Sequence, residues 1–199
     1  MGFDLTGLNP QTTIKEPKRP DNLYDESITK EEQDKYFEEI EAYHSQKGTY
    51  FRNNVWYWRP LADYVIRFTK VVNDKDAKMW AYNDQHVVNE QDAKMIAQQL
   101  DHLINTGHTK KYAEQFNKIR SEIEKKNEKV EKELQEFSES VKKKLNNKNL
   151  APKDFPVKDK QKWDKIFDKR DNRGSYPFSL ENVKEFAEFC RYSGGFTIG

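Results

Sequence analysis

The 199-residue sequence lacks features that would each place it in a familiar class of protein. It has one cysteine, Cys190, so neither an internal disulfide framework nor a thiolate-rich zinc site is expected. No apolar run approaches the roughly 18 residues of a membrane span, and no signal-peptide stretch follows the first residues. These absences predict a soluble, cytoplasmic protein without a membrane as partner.

A net charge of either sign is also missing, because 35 Lys and Arg residues balance 34 Asp and Glu residues. A chain-wide charge of +1 lacks the basic excess of a nucleic-acid-binding protein, so nucleic acid is not an expected partner. The charges are nevertheless segregated: residues 21–46 hold nine acids and two lysines, and residues 140–175 hold twelve Lys or Arg and five Asp. Two explanations stay open. The blocks form a bipolar surface for a charged partner, or they face each other or solvate helices.

Motifs of the common enzyme classes are absent as well. The sequence has no nucleophile elbow, no P-loop and no dinucleotide-binding glycine pattern, and none of its four histidines lies in a metal-binding pattern. Cys190 occupies a core-like helix position, where a packed thiol is more frequent than a nucleophile. We therefore predict no catalytic residue, no metal and no cofactor.

The spacing of apolar residues predicts an α+β fold that is mostly helical, with a compact core. Short strands are expected at both ends of the chain, where Phe3 and Leu5, and Phe196 and Ile198, alternate with other residues. Because neither strand is long enough to stand alone, we expect the two ends to pair. Helix start signals lie between them at Thr29, Pro60, Asn89 and Ser179.

The segment after Thr109 has apolar residues at helical spacing up to Leu145, without glycine or proline. At 1.5 Å per residue it predicts a helix roughly 55 Å long. Lys126 occupies an expected core position, which favours a protruding arm backed by another segment over a continuous dimeric coiled coil. Pro152 ends the arm, and a shorter helix around Trp163 is expected to fold back over its apolar stripe.

One block combines the residue types that a nucleotide site needs. Residues 50–60 read YFRNNVWYWRP, in which flat rings stand beside guanidinium and amide groups. A ring offers stacking area to a base, while Arg and Asn bind its polar edges and phosphates. The alternative is that the rings pack in the core and the Asn pair caps a helix. The predicted ligand-binding residues are Arg52, Asn53, Asn54, Trp56, Trp58 and Arg59, joined by Asn83, Asp84 and His86 from a following loop.

Word-like motifs occur at the start, centre and end of the chain: MGFDL followed by NP, then YFRNNVWYWRPL, then FSLENVKEFAEF with SGGF. They resemble a family of small uncharacterised proteins found mainly in tailed bacteriophages. The resemblance covers residues 1–10, 48–117 and 176–199. It implies a compact core made of these segments, an acidic loop and helix inserted at 11–47, and a long helical arm with a basic return segment inserted at 118–175. The two insertions are expected to pack together.

The resemblance implies a phage accessory protein that manages the host, such as a counter-defence protein. Together with the block at 50–60, it leads us to expect a non-enzymatic protein of the host-cell cytoplasm that binds and sequesters a nucleotide-derived small molecule. The alternative is a protein-interaction module whose charged helical arm inhibits a host defence protein. An unrecognised hydrolase is the third reading, and self-association of the chain stays open.

Overall fold

A computed structural model describes residues 2–83 and 85–199 of the chain. It is 61% helical and has one four-stranded antiparallel sheet, which confirms the mostly helical α+β class. The strands are β1 (Gly2–Gly7), β2 (Tyr50–Asn54), β3 (His86–Val88) and β4 (Phe196–Ile198). The helices are α1 (Lys30–His44), α2 (Val55–Thr69), α3 (Asp74–Met79), α4 (Glu90–Asn105), α5 (His108–Lys144), α6 (Val157–Phe167) and α7 (Leu180–Tyr192).

The chain divides into two compact units. The first comprises residues 1–113 and 178–199, and the second comprises residues 114–177. The second unit therefore contains the whole segment 118–175 that the sequence predicts as an arm. The acidic segment 11–47 belongs to the first unit. Its description as an insertion depends on the family resemblance and stays a prediction.

The two ends of the chain meet in the sheet, as predicted. The strand order is β2-β1-β4-β3, and β1 pairs with β4 so that Leu5 lies opposite Ile198 and Gly7 opposite Phe196. Alternate residues of β1 point to opposite faces, and Phe3 and Leu5 are both buried. The termini thereby form the two central strands of the first unit.

Helices α2, α4 and α7 pack on one another, and α2 and α7 also pack on the sheet. Their apolar faces follow the predicted spacing of three and four residues. In α4 the buried residues are Ala93, Ile96, Ala97 and Leu100; in α7 they are Val183, Phe186, Ala187, Phe189 and Cys190. Predicted caps are also present, since Asn89 accepts a hydrogen bond from the Asp92 amide at 2.9 Å and Ser179 accepts one from the Asn182 amide at 3.2 Å.

Helix α2 begins five residues before the expected position, so the prediction of a start near Pro60 was wrong. Asn54 ends β2 and caps the helix, because its side-chain oxygen accepts hydrogen bonds from the Trp56 and Tyr57 amides at 3.0 and 3.1 Å. Pro60 then lies in the second turn, where it cannot donate a helical hydrogen bond because it has no backbone N–H. The cap, and not the proline, sets the start.

For helix α1 the sequence predicts a capping box of Thr29 and Glu32, which is present, and an apolar face of Tyr36, Phe37, Ile40 and Tyr43, which is buried only in part. The Thr29 hydroxyl accepts from the Glu32 amide at 3.2 Å, and the Glu32 carboxylate accepts from the Thr29 amide at 2.9 Å. These bonds to Thr29 lower the pKa of Glu32. Of the apolar positions expected to be covered, Tyr43 is buried, whereas Phe37 is 44% exposed.

In the second unit α6 packs back on α5, as predicted for the short helix around Trp163. Ile166 is buried against Val130 and Leu134, and Trp163 and Phe137 pack beside them. Polar contacts hold the same arrangement outside this apolar cluster. The ion pairs Lys169–Glu133 at 2.8 Å and Arg170–Glu131 at 3.1 Å join the end of α6 to α5, and Asn127 bonds the Asp171 backbone at 2.8 and 2.9 Å.

Removing residues 118–175 is expected to leave a first unit that still unfolds cooperatively. The two flanks of the excised segment already meet there, because the rings of Tyr112 and Phe178 lie 4.9 Å apart. A short Gly/Ser linker can then close the gap at little entropic cost. Urea unfolding monitored by circular dichroism tests this, with a single sharp transition as the expected result. Loss of the cooperative transition would show that the arm is needed for the core.

Candidate functional site

Trp58, one of the predicted site residues, lies in the core of the first unit. Its side chain is completely buried, with its ring stacked 5.2 Å from Phe3 and 5.7 Å from Trp80, and with its edge toward Phe186. The indole N–H donates to the Trp80 carbonyl at 2.8 Å. Trp58 therefore packs in the core, which is the alternative that the sequence left open for this residue.

The two asparagines of the block also have structural partners. Asn53 is buried on the inner side of β2, and its side-chain amide donates to the Asn182 side chain on α7 at 2.8 Å. Asn54, the next residue, points to the other side and caps α2. Each of these polar groups fixes the junction between β2 and its neighbouring helices.

Arg52 lies on the outer face of the sheet. Its guanidinium is 3.4 Å from the Asp4 carboxylate, which also accepts a hydrogen bond from the Tyr50 hydroxyl. Burial and the Asp4 contact raise the pKa of Tyr50 to about 12, so the hydroxyl stays protonated. His44 stacks on Tyr50 at 4.1 Å, and its burial lowers its own pKa.

The loop predicted to complete the site is anchored to the sheet. The Asn83 side chain donates to the Gly2 carbonyl at 2.6 Å, and His86 belongs to β3, where it lies opposite Ile198. Asp84 lies outside the described residues. The loop therefore supports the start of β1, and a ligand-binding role for its side chains stays a prediction.

Arg59 lines a cleft, which lies between α2 and the end of α3 and has a volume of about 190 Å³. We refer to it as the α2–α3 cleft. Small side chains make the space, because alanines stand at three lining positions on the two sides. The lining residues are Arg59, Ala62, Asp63, Ile66, Ala77, Trp80, Ala81 and Tyr82.

Charged and aromatic groups surround the α2–α3 cleft. Partial desolvation of the carboxyl group raises the pKa of Asp63 although the residue as a whole is exposed, and the positive charge of Arg59, one helical turn before it, partly opposes this rise. Tyr82 is 62% exposed at the cleft. Trp80 is buried in the cleft wall, and its Nε1 has no acceptor within the part of the chain that the structure describes.

Sequence reasoning missed Asp63, Trp80 and Tyr82. The Arg59–Asp63 pair carries a signal in its i, i+4 spacing, which places both side chains on one face of α2. Nothing comparable identifies Trp80 or Tyr82, because their place beside α2 depends on how α3 packs. The sequence therefore indicates only the side of the cleft that α2 forms.

Metal binding and thiol chemistry have less support than ligand binding in the described residues. They contain no group of three or more His, Cys, Asp or Glu side chains that could hold a metal ion. Cys190 is fully buried, and this burial raises the pKa of its thiol, so a reactive thiolate is disfavoured. Among the helices of residues 2–83 and 85–199, none is both long and apolar enough to cross a membrane.

Comparison of the chain with protein-family models, with curated proteins and with solved structures gives no match. Its function therefore has to be argued from its own residues.

Proposed function

We propose that this chain is a phage-encoded, non-enzymatic counter-defence protein that binds and sequesters a nucleotide-derived small molecule, with the α2–α3 cleft as the place where the ligand inserts a ring. The phage origin and the counter-defence role depend on the resemblance of the motifs at the start, centre and end of the chain. The choice of ligand class depends on the cleft.

The observation that carries the proposal is that Trp80, a residue of the cleft wall, has a buried indole N–H without an acceptor among residues 2–83 and 85–199. A buried donor without an acceptor costs about 1–3 kcal/mol, and a bound acceptor that reached it would recover this cost. Ring nitrogens and carbonyls of nucleobases are acceptors of this kind. The remaining lining suits the rest of such a ligand, because Tyr82 offers a face for stacking and Arg59 a positive charge.

The size of the α2–α3 cleft limits what enters it. Pockets that enclose whole drug-sized ligands usually measure about 300–1,000 Å³, and this cleft has about 190 Å³. It accommodates one planar ring, so the sugar and phosphates of the ligand would lie outside. Arg59 stands at the cleft with an exposed side chain, where it can meet such a phosphate.

Replacing Arg59 by alanine is expected to weaken ligand binding by roughly 10- to 150-fold, which corresponds to the loss of a charge-assisted contact of about 1.5–3 kcal/mol. The melting temperature should change little, since the side chain is exposed. The matched control is Arg67→Ala, which removes another exposed arginine from the same helix but not from the cleft. Calorimetric titration of cyclic dinucleotides and ADP-ribose derivatives provides the measurement.

Mass spectrometry of the recovered ligand separates the proposal from its rivals. Ligand released intact supports sequestration, whereas chemically altered ligand would favour the hydrolase. If no compound of the panel binds the unmodified protein, the sequestration proposal fails. Equal losses in Arg59→Ala and Arg67→Ala would instead show binding outside the α2–α3 cleft.

The protein-interaction alternative has its own supporting observation. Helix α5 is 37 residues long, and Ile119, one of its apolar residues, is 58% exposed. Isolated exposed apolar residues are common, however, so this feature is weaker than an orphaned buried donor. Co-purification of one host defence protein with the full chain, lost on replacement of residues 118–175, would move the assignment to this alternative.

A further inference from the structure

The second unit has a strong local charge that the chain-wide balance conceals. Its residues include 18 Lys or Arg and 13 Asp or Glu, and the imbalance lies entirely beyond residue 139. In the segment 140–175 five of the twelve basic residues pair with carboxylates: Lys144, Lys160, Lys169, Arg170 and Arg173. The other seven are all lysines.

These seven lysines have no ion pair among the residues that the structure describes, and six of them are exposed while Lys142 is half-buried. The segment also has two aspartates without an ion pair among the described residues, Asp154 and Asp168. They offset only a minor part of the positive charge of the seven lysines. We call the set the lysine surface. It consists of Lys142, Lys143, Lys148, Lys153, Lys158, Lys162 and Lys165.

The fold brings the lysine surface together around the connection between α5 and α6. The ion pair Lys144–Asp159, at 3.2 Å, joins the last turn of α5 to the first turn of α6. Lys143 and Lys158 are the chain neighbours of this pair, so both lie at the same end of the unit. Lys148 and Lys153 belong to the short connection between the two helices.

Helix α6 continues the surface as a regular stripe. Lys158, Lys162 and Lys165 follow the spacing i, i+4, i+7, which places them within about 60° around the helix. All three are exposed, while Ile166, the chain neighbour of Lys165, is buried in the apolar cluster. Their Cα atoms are separated by about 4.5 and 6 Å along the axis, at 1.5 Å per residue.

We propose that the lysine surface binds the phosphate backbone of nucleic acid without reading its sequence. Several uncompensated cations on one surface displace the counterions that phosphates condense, and this supplies non-specific affinity. The residue type favours this partner over a protein. Lysine is depleted in protein–protein interfaces, whose energetic centres use Trp, Tyr and Arg, whereas as a point charge it suits phosphate contacts.

The proposal is independent of the α2–α3 cleft and would stand if no small molecule binds there. A nucleic-acid partner also revises the expectation, drawn from the net charge of the whole chain, that nucleic acid does not bind. A net charge of +1 excludes a basic protein as a whole, but it does not exclude a basic surface whose counterbalancing acids lie in the rest of the chain.

The test is the affinity of the full chain for a labelled oligothymidylate of about 20 nucleotides, measured by fluorescence anisotropy between about 50 and 200 mM salt. The test variant is the triple substitution Lys158→Gln, Lys162→Gln and Lys165→Gln. Gln has nearly the helix propensity of Lys, so α6 should be retained, which circular dichroism checks. We expect at least a tenfold loss of affinity and a salt slope smaller by about 2.

The matched control is Lys125→Gln, Lys129→Gln and Lys132→Gln on α5. These lysines have the same i, i+4, i+7 spacing, the same exposure and the same unit, but they lie among glutamates in a stretch with a net negative charge. The control should keep its affinity within about twofold. Equal losses in both triple variants would overturn the proposal, since net charge alone would then explain the binding.

Two further outcomes would overturn the proposal. The first is that the unmodified chain does not bind the oligonucleotide at about 50 mM salt. The second is that polyglutamate or vesicles with anionic lipid bind more tightly than the oligonucleotide in the same buffer, because the lysine surface would then serve an acidic protein or a membrane surface.

Discussion

Replacing Trp58 by alanine is expected to lower the free energy of unfolding of the first unit by about 3–5 kcal/mol. The indole is completely buried between Phe3, Trp80 and Phe186, so its removal leaves a cavity that rigid neighbouring rings cannot fill. The Trp80 carbonyl also loses the indole N–H that donates to it at 2.8 Å. A domain is usually stable by only about 5–15 kcal/mol, so this loss is a large share.

The control for Trp58 stands two residues earlier on the same helix. Trp56 is 46% exposed, so Trp56→Ala should cost much less, about 1 kcal/mol or below. Urea unfolding followed by far-ultraviolet circular dichroism compares the two without relying on tryptophan emission. Similar losses from both substitutions would contradict the burial difference. Trp58→Phe, which retains a ring, should recover part of the loss.

The same pair of tryptophans explains why the candidate site could be predicted only in part. Consecutive residues of a helix are 100° apart, so Trp56 and Trp58 point in nearly opposite directions. In a strand, residues two apart would share a face. The block 50–60 changes from strand to helix at Asn54. Neither the strand period nor the helix period therefore separates its buried residues from its exposed ones along the whole block. The predicted set therefore mixed the core residue Trp58 with the cleft residue Arg59.

Local signals predicted most of the secondary structure. The capping box of Thr29 and Glu32, the Asn89 cap and the apolar spacing of α4 and α7 all act within a few residues, and the structure confirms them. The pairing of β1 with β4 was also predictable, since two short alternating segments need a partner. Contacts that depend on packing between distant segments were not predictable, and the place of Trp80 beside α2 is an example.

A second feature that depends on packing between distant segments is a set of glycines at the edge of the sheet. The sequence marks Gly48 as a helix stop and Gly194 as a terminator, which their positive φ angles of 79° and 62° fit. Neither signal reveals that these turns meet. The Gly7 amide donates to the Thr49 carbonyl at 2.9 Å, and the Asn9 amide donates to the Ser193 carbonyl at 3.0 Å, so three separate turns touch through their backbones.

Gly48→Ala is therefore expected to destabilise the first unit by about 3 kcal/mol or more. A methyl group on Gly48 would lie 2.6 Å from the Ser193 nitrogen and still closer to the Tyr192 carbonyl, and both are backbone atoms that a rotamer change cannot move. The substitution thus combines the strain of a positive φ, about 1–2 kcal/mol, with overpacking of about 1–3 kcal/mol.

Gly107→Ala separates these two contributions to the loss at Gly48. Gly107 has a nearly identical φ of 76°, against 79° for Gly48, but a methyl group there would meet no atom within 4 Å. Its substitution should cost only the conformational strain of about 1–2 kcal/mol. The difference between the two variants in urea unfolding then measures the backbone contact alone. If Gly48→Ala is no more destabilising than Gly107→Ala, the turn at residue 48 can move away from Tyr192, and the close approach of the three turns does not constrain the sheet.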